Sequence, residues 1–126
     1  MNVVDSSGWL EYLADGPNAR FFAPAIEDTA HLIVPTLSLF EVFRRVLQQR
    51  DEHAALQAIA LMHQGRLVDL DSRLALAAAR VSVLERLPTA DAIMLATARV
   101  AGAEFWTQDA DFAGKAGVHY VAHRSA

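Results

Sequence analysis

No cysteine occurs among the 126 residues. A disulfide framework, a thiolate zinc or iron–sulfur site and a cysteine nucleophile are therefore excluded. Lysine is almost missing as well. Lys115 stands alone beside ten arginines, so cationic chemistry falls to the guanidinium, the better bidentate ligand for phosphate. The 24 alanines offer a plainer account of that bias, in codon composition. No apolar run approaches the ~18 residues of a membrane span, and Met1-Asn2-Val3-Val4-Asp5 resembles no secretory leader. A cytoplasmic protein with no membrane association is expected. Positive charge is in deficit, with 15 acidic against 11 basic residues and a net charge of −4, which is not the profile of a nucleic-acid binder held by bulk charge.

What the chain has is apolar content. A hydrophobic fraction of 53% excludes disorder, and the length fits a single domain over residues 1–126. Short β-rich runs alternate with longer helical ones. Asn2–Asp5, His31–Val34, Arg66–Leu70, Glu104–Thr107 and Val118–Val121 read as strands.

Helices are expected after Ser6 or Ser7 as cap, around Ala19–Glu27, after Thr36 as cap, over Glu52–His63, over Ser72–Leu87 and over Ala90–Ala101. Leu39, Phe40, Val42, Phe43, Val46 and Leu47 form the apolar set of the third helix, and Leu56, Ile59, Ala60 and Met62 that of the fourth. Strands separated by helices pair in parallel through right-handed crossovers. The fold class is therefore α/β: a three-layer α/β/α sandwich on a mostly parallel sheet of about five strands. Ligands in such folds gather beyond the carboxyl ends of the strands, where strand order reverses.

Acidic residues stand at that edge. Asp5 ends the first strand, Glu41 lies early in the helix after the second, Asp91 opens the helix before the fourth, and Asp109 and Asp111 follow the fourth. Carboxylates brought together from distant segments repel, and burial raises their pKa values unless a cation neutralises them. All-oxygen sites suit Mg²⁺ or Mn²⁺, and one or two such ions can promote attack of water on a phosphodiester. Each acid also has an ordinary explanation. Asp5 can cap a helix, Glu41 can pair with Arg44 and Arg45 at i+3 and i+4, Asp91 can answer a helix dipole, and Asp109 and Asp111 can shape a turn.

The stretches Val3-Val4-Asp5-Ser6-Ser7, Pro35-Thr36-Leu37-Ser38-Leu39-Phe40-Glu41-Val42, Leu87-Pro88-Thr89-Ala90-Asp91-Ala92-Ile93 and Trp106-Thr107-Gln108-Asp109-Ala110-Asp111-Phe112 follow one another across the chain. In order and spacing they resemble the PIN-domain ribonucleases, particularly the short VapC-type toxins of toxin–antitoxin pairs. The resemblance implies Asp5, Glu41, Asp91 and Asp109 as the acidic metal-binding and catalytic set. Ser6 and Thr107 would be orienting polar groups, and Asp111 a peripheral acid. It also implies a Mg²⁺- or Mn²⁺-dependent endoribonuclease acting on tRNA, rRNA or mRNA, usually homodimeric and held inactive by a small antitoxin in a hetero-oligomer. Gln108 departs from the pattern, since many relatives carry a basic residue there.

Other chemistries find less support. His119 and His123 are four apart on a strand and its tail, a spacing that does not converge there, so all five histidines are expected to be structural or superficial. Lys115 follows no phosphate-binding glycine loop, and no Gly-x-Ser-x-Gly elbow is present. Two alternatives stay open: a binding module that kept the fold without catalysis, and a receiver-like phospho-accepting domain. The receiver is disfavoured because Ser6-Ser7, rather than a second acid, follows Asp5. Trp9, Tyr12, Phe21, Phe22 and the apolar residues around Glu41 are expected mainly in the core, with any left over forming a partner groove or dimer contact.

Overall fold

The computed structural model describes residues 1–125. Five strands form one sheet: β1 (Asn2–Val4), β2 (Leu32–Pro35), β3 (Arg66–Val68), β4 (Glu104–Thr107) and β5 (Val118–Tyr120). Every pairing is parallel and the spatial order is β3-β2-β1-β4-β5. The order reverses at β1, whose neighbours β2 and β4 lie on opposite sides. The register places Val4 beside Trp106, so the first residue past β1, Asp5, emerges next to the end of β4.

The helices are α1 (Ser6–Leu13), α2 (Ala19–Glu27), α3 (Thr36–Gln49), α4 (Glu52–Met62), α5 (Ser72–Glu85) and α6 (Thr89–Val100). Alternation along β1 assigns them to two layers, because successive strand side chains point to opposite faces. Val4 packs with Trp9, Phe22, Val42 and Met62 from α1 to α4. Val3 packs on the other face with Ile33, Met94, Leu95 and Phe105, and so meets α6. Both valines are fully buried, which accounts for a central strand with no polar alternation. α5 lies outermost, with Leu74 and Ala78 against Ala96 of α6. Small residues on α6 (Ala92, Ala96, Ala98) let it sit buried between α5 and the sheet.

Several local expectations need correction. Asp5 caps α1, its Oδ1 accepting the Ser6 N–H at 2.8 Å, because Ser6 and Ser7 already lie inside the helix. Pro35 rather than Thr36 holds the N-cap position of α3, without any side-chain bond. On α4 the buried residues are Ala55, Ala58 and Met62, whereas Leu56 is exposed; small alanines admit close packing against the core that a leucine would block. On α3, Phe40 is 62% exposed. Pro24 sits within α2 with its ring turned to solvent. Among the described residues no helix is long and apolar enough to cross a membrane.

Candidate active site

Parallel strands bring their carboxyl ends to one edge. A helix that follows a strand starts at that edge, and so does a helix that runs back to the strand after it. α1 and α3 begin there after β1 and β2, and α6 begins there before returning to β4. This topology places Asp5, Glu41, Asp91 and Asp109 around a single cavity of about 330 Å³, with Ser6 and Ser7 on its wall. The four acids reach it from four separate segments.

Hydrogen bonds fix the set. Thr107 Oγ1 donates to Asp5 Oδ2 at 2.9 Å and accepts the Asp109 N–H at 2.9 Å, so one fully buried hydroxyl ties the end of β1 to the loop after β4. Ser7 Oγ adds a longer contact to Asp5 Oδ2 at 3.3 Å. Ser6 Oγ donates to Glu41 Oε1 at 2.7 Å, holding the α3 carboxylate toward α1. Asp109 Oδ1 accepts the Asp111 N–H at 2.9 Å and caps a single 3₁₀ turn, Ala110–Phe112. That turn folds Asp111 back, so oxygen atoms of Asp91, Asp109 and Asp111 lie within 4.8 Å of one another. Asp111 is thus closer to Asp91 than a peripheral position suggests.

The electrostatics are those of crowded carboxylates without ion-pair partners. Burial pushes the Asp5 carboxyl up to about 6, with the Asp91 charge adding to the rise and the Thr107 bond opposing it. Burial also raises Asp91 to about 6, reinforced by Asp109, Asp111 and Glu41. Among the described residues none of the five acids forms an ion pair, as those found involve Asp28, Glu85 and Glu104. In particular, Glu41 pairs with neither Arg44 nor Arg45. An all-oxygen donor set without a cationic partner fits a hard divalent ion of the Mg²⁺ or Mn²⁺ class.

The remaining polar residues do other work. All five histidines are exposed and none joins the acidic group. His119 stacks on Trp106 with ring centroids 4.3 Å apart and contacts Glu104. Arg99 pairs with Glu85, as does Lys115, which lies between the positive-φ glycines Gly114 and Gly117. Gln108 faces inward. Its Oε1 accepts from Asn18 Nδ2 at 3.0 Å, and Asn18 in turn bonds the Ala122 carbonyl and Arg124 of the C-terminal tail. No short-range pattern signals that network, whose members are 90 to 106 positions apart.

Residues 3–118 match the PIN domain family. A toxin–antitoxin complex from Klebsiella pneumoniae superimposes with a TM-score of 0.78 at 19% identity, over 94% of this chain and 96% of that one. VapC20 of Mycobacterium tuberculosis, described as a sarcin-ricin loop cleaving toxin, superimposes with a TM-score of 0.73 at 19% identity, over 89% and 92% of the two chains. DNA-bound VapBC of Salmonella typhimurium does so with a TM-score of 0.73 at 12% identity, over 96% of each. No curated protein matches the sequence.

Proposed function

Since the chain belongs to the PIN domain family, we propose that it is a Mg²⁺- or Mn²⁺-dependent endoribonuclease, the toxin of a toxin–antitoxin pair. The observation that carries this reading is the cavity into which four segments deliver Asp5, Glu41, Asp91 and Asp109, none of them in an ion pair among the described residues. In this reading Asp5, Asp91 and Asp109 hold one or two ions, with Glu41 completing the set and Asp111 close enough to Asp91 and Asp109 to contribute. Bound there, the ion would supply Lewis acidity to water and to the phosphate. Thr107 and Ser6 keep Asp5 and Glu41 in place. Protonation of the leaving oxygen falls to solvent, as no histidine lies in the cavity. The known complexes of similar fold favour an antitoxin as partner, and a homodimer is the assembly that the family resemblance implies. RNA, in place of other phosphodiesters, is favoured by the likeness to an RNA-cleaving toxin.

Incubating the partner-free protein with tRNA and ribosomal RNA, with Mg²⁺ or with EDTA, tests the reading. Cleavage is expected only with the metal, and it should fall by at least ~10³-fold in Asp5→Asn and Asp91→Asn, both of which should retain the wild-type circular dichroism spectrum. Cleavage that survives both substitutions refutes the site. Inertness toward every RNA shifts the assignment to a fold-conserving binding module.

A further inference from the structure

Two adjoining rows on α3 carry its polar residues: Glu41, Arg45 and Gln49 stand at i, i+4 and i+8, and Arg44 and Gln48 continue the row that the apolar Phe40 begins. Glu41 stands at the acidic cavity, and Phe40, Arg44, Arg45 and Gln48 line that same cavity. A second cavity of about 410 Å³ shares Ser7, Leu10, Arg45 and Asp109 with it and continues past Gln49 and Gln108 toward His123. The two make one groove that runs from the acidic cluster along α3, with Glu11 of α1 on its opposite wall.

Two features of that groove have no structural explanation. Phe40 is 62% exposed at a position where helix periodicity predicts core. Arg44 and Arg45 are exposed and form no ion pair among the described residues, although Glu41 lies at i−3 and i−4 from them. Arg99, by contrast, is neutralised by Glu85.

We infer that this face of α3 is the track for single-stranded RNA. Phe40 stacks on a base beside the scissile phosphate, and Arg44 and Arg45 hold the phosphates that follow. An aromatic platform next to unpaired guanidinium groups is what binding of a single strand requires. The acidic centre would otherwise repel the strand, and two local cations offset that without changing the net charge of −4. Helix rise spaces Arg44 and Arg45 about 5 Å, and Gln48 and Gln49 about 11 Å, along the axis from Glu41, which suits successive nucleotides. The inference rests on the nuclease reading and names its substrate contacts.

The test is anisotropy of a fluorescein-labelled, mixed-sequence single-stranded RNA decamer, titrated with protein at several salt concentrations, with Ca²⁺ replacing the catalytic ion. Phe40→Ala should weaken binding roughly tenfold with the salt dependence unchanged, and Phe40→Trp should restore it. Arg44→Ala and Arg45→Ala should each weaken binding several-fold and reduce the slope of log K against log[salt] by about 0.7. Arg80→Ala, on exposed α5, should match wild type. Calorimetric titration of Mn²⁺ into the same variants should show metal binding retained, unaltered in Phe40→Ala and no weaker in the two arginine variants, whose lost cations stood beside the acids. Wild-type RNA affinity in all three variants, or no binding by the wild type, overturns the inference. If wild-type protein binds no Mn²⁺, the nuclease reading itself fails. Loss of antitoxin binding with RNA binding intact would assign the face to the protein partner and overturn the RNA track.

Discussion

Thr107 shows how much of the site depends on one atom. Its hydroxyl satisfies Asp5 Oδ2 and the Asp109 N–H together, in a position with no exposed surface. Thr107→Val keeps the shape and removes both bonds, which leaves the Asp109 N–H without its partner and Asp5 Oδ2 with only the longer Ser7 contact, at a cost of about 1–3 kcal/mol. Mn²⁺ affinity, measured by calorimetry, should fall roughly tenfold, as for other residues that orient ligands without touching the ion. Thr107→Ser should retain most of that affinity. Equal Mn²⁺ affinity in the valine and serine variants would mean that Thr107 only fills space. The acids themselves were legible in the sequence, as was their collection at one sheet edge, because strand–helix alternation dictates where strand ends go. The partners of the acids were not. Helical spacing pairs Glu41 with Arg44 and Arg45, yet a serine 35 positions away takes the carboxylate, and only tertiary packing brings Ser6 there. The nearness of Asp111 to Asp91 likewise depends on a 3₁₀ turn that a turn-like composition does not specify.

At the scale of elements, α1 has to lie close against both β1 and α2 for Asp5 to sit at once at a strand end and a helix start. Gly8 permits this. A Cβ built there would lie 2.6 Å from Phe22 Cε1 and 2.8 Å from Val4 Cγ1. Both neighbours are fully buried. Two effects therefore compete in Gly8→Ala. Helix propensity favours alanine by about 1 kcal/mol, whereas overpacking a closed core costs about 1–3 kcal/mol or more. Since the obstacles are a core ring and a strand side chain, the clash should win. Urea unfolding is expected to show net destabilisation of about 1–2 kcal/mol; a more stable variant would mean that the α1–α2 contact is loose. The element boundaries were readable from capping and breaking residues to within one or two positions, but which face of a helix is buried was less so. Ala55 and Ala58, rather than Leu56, face inward on α4, because close helix packing selects small residues over large ones.

For the whole molecule, the acidic cavity sets stability against function. Asp5 and Asp91 both titrate near 6 in the folded protein against an ordinary value of 3.8. A carboxyl raised on folding favours the native state fully below its unfolded pKa, and loses that contribution as pH climbs through the folded value. Metal-free protein should therefore lose stability between about pH 4 and pH 6.5, with buried Asp5 accounting for on the order of 2–3 kcal/mol. This is opposite to the trend for carboxylates held in salt bridges. A divalent ion held at the proposed site would bind the deprotonated acids, so its stabilising effect should be large near neutral pH and small near pH 5. Asp91→Asn removes one of the repelling charges. That variant should melt at a higher temperature than wild type at neutral pH in EDTA, yet gain little from Mn²⁺, the signature of a site strained in favour of its ligand. Melting curves across this range, with EDTA and with Mn²⁺, decide the matter. A metal-free Tm that falls on acidification from pH 6.5 to 5, together with an Mn²⁺ effect independent of pH, would show that the carboxylates are not coupled through a shared cation.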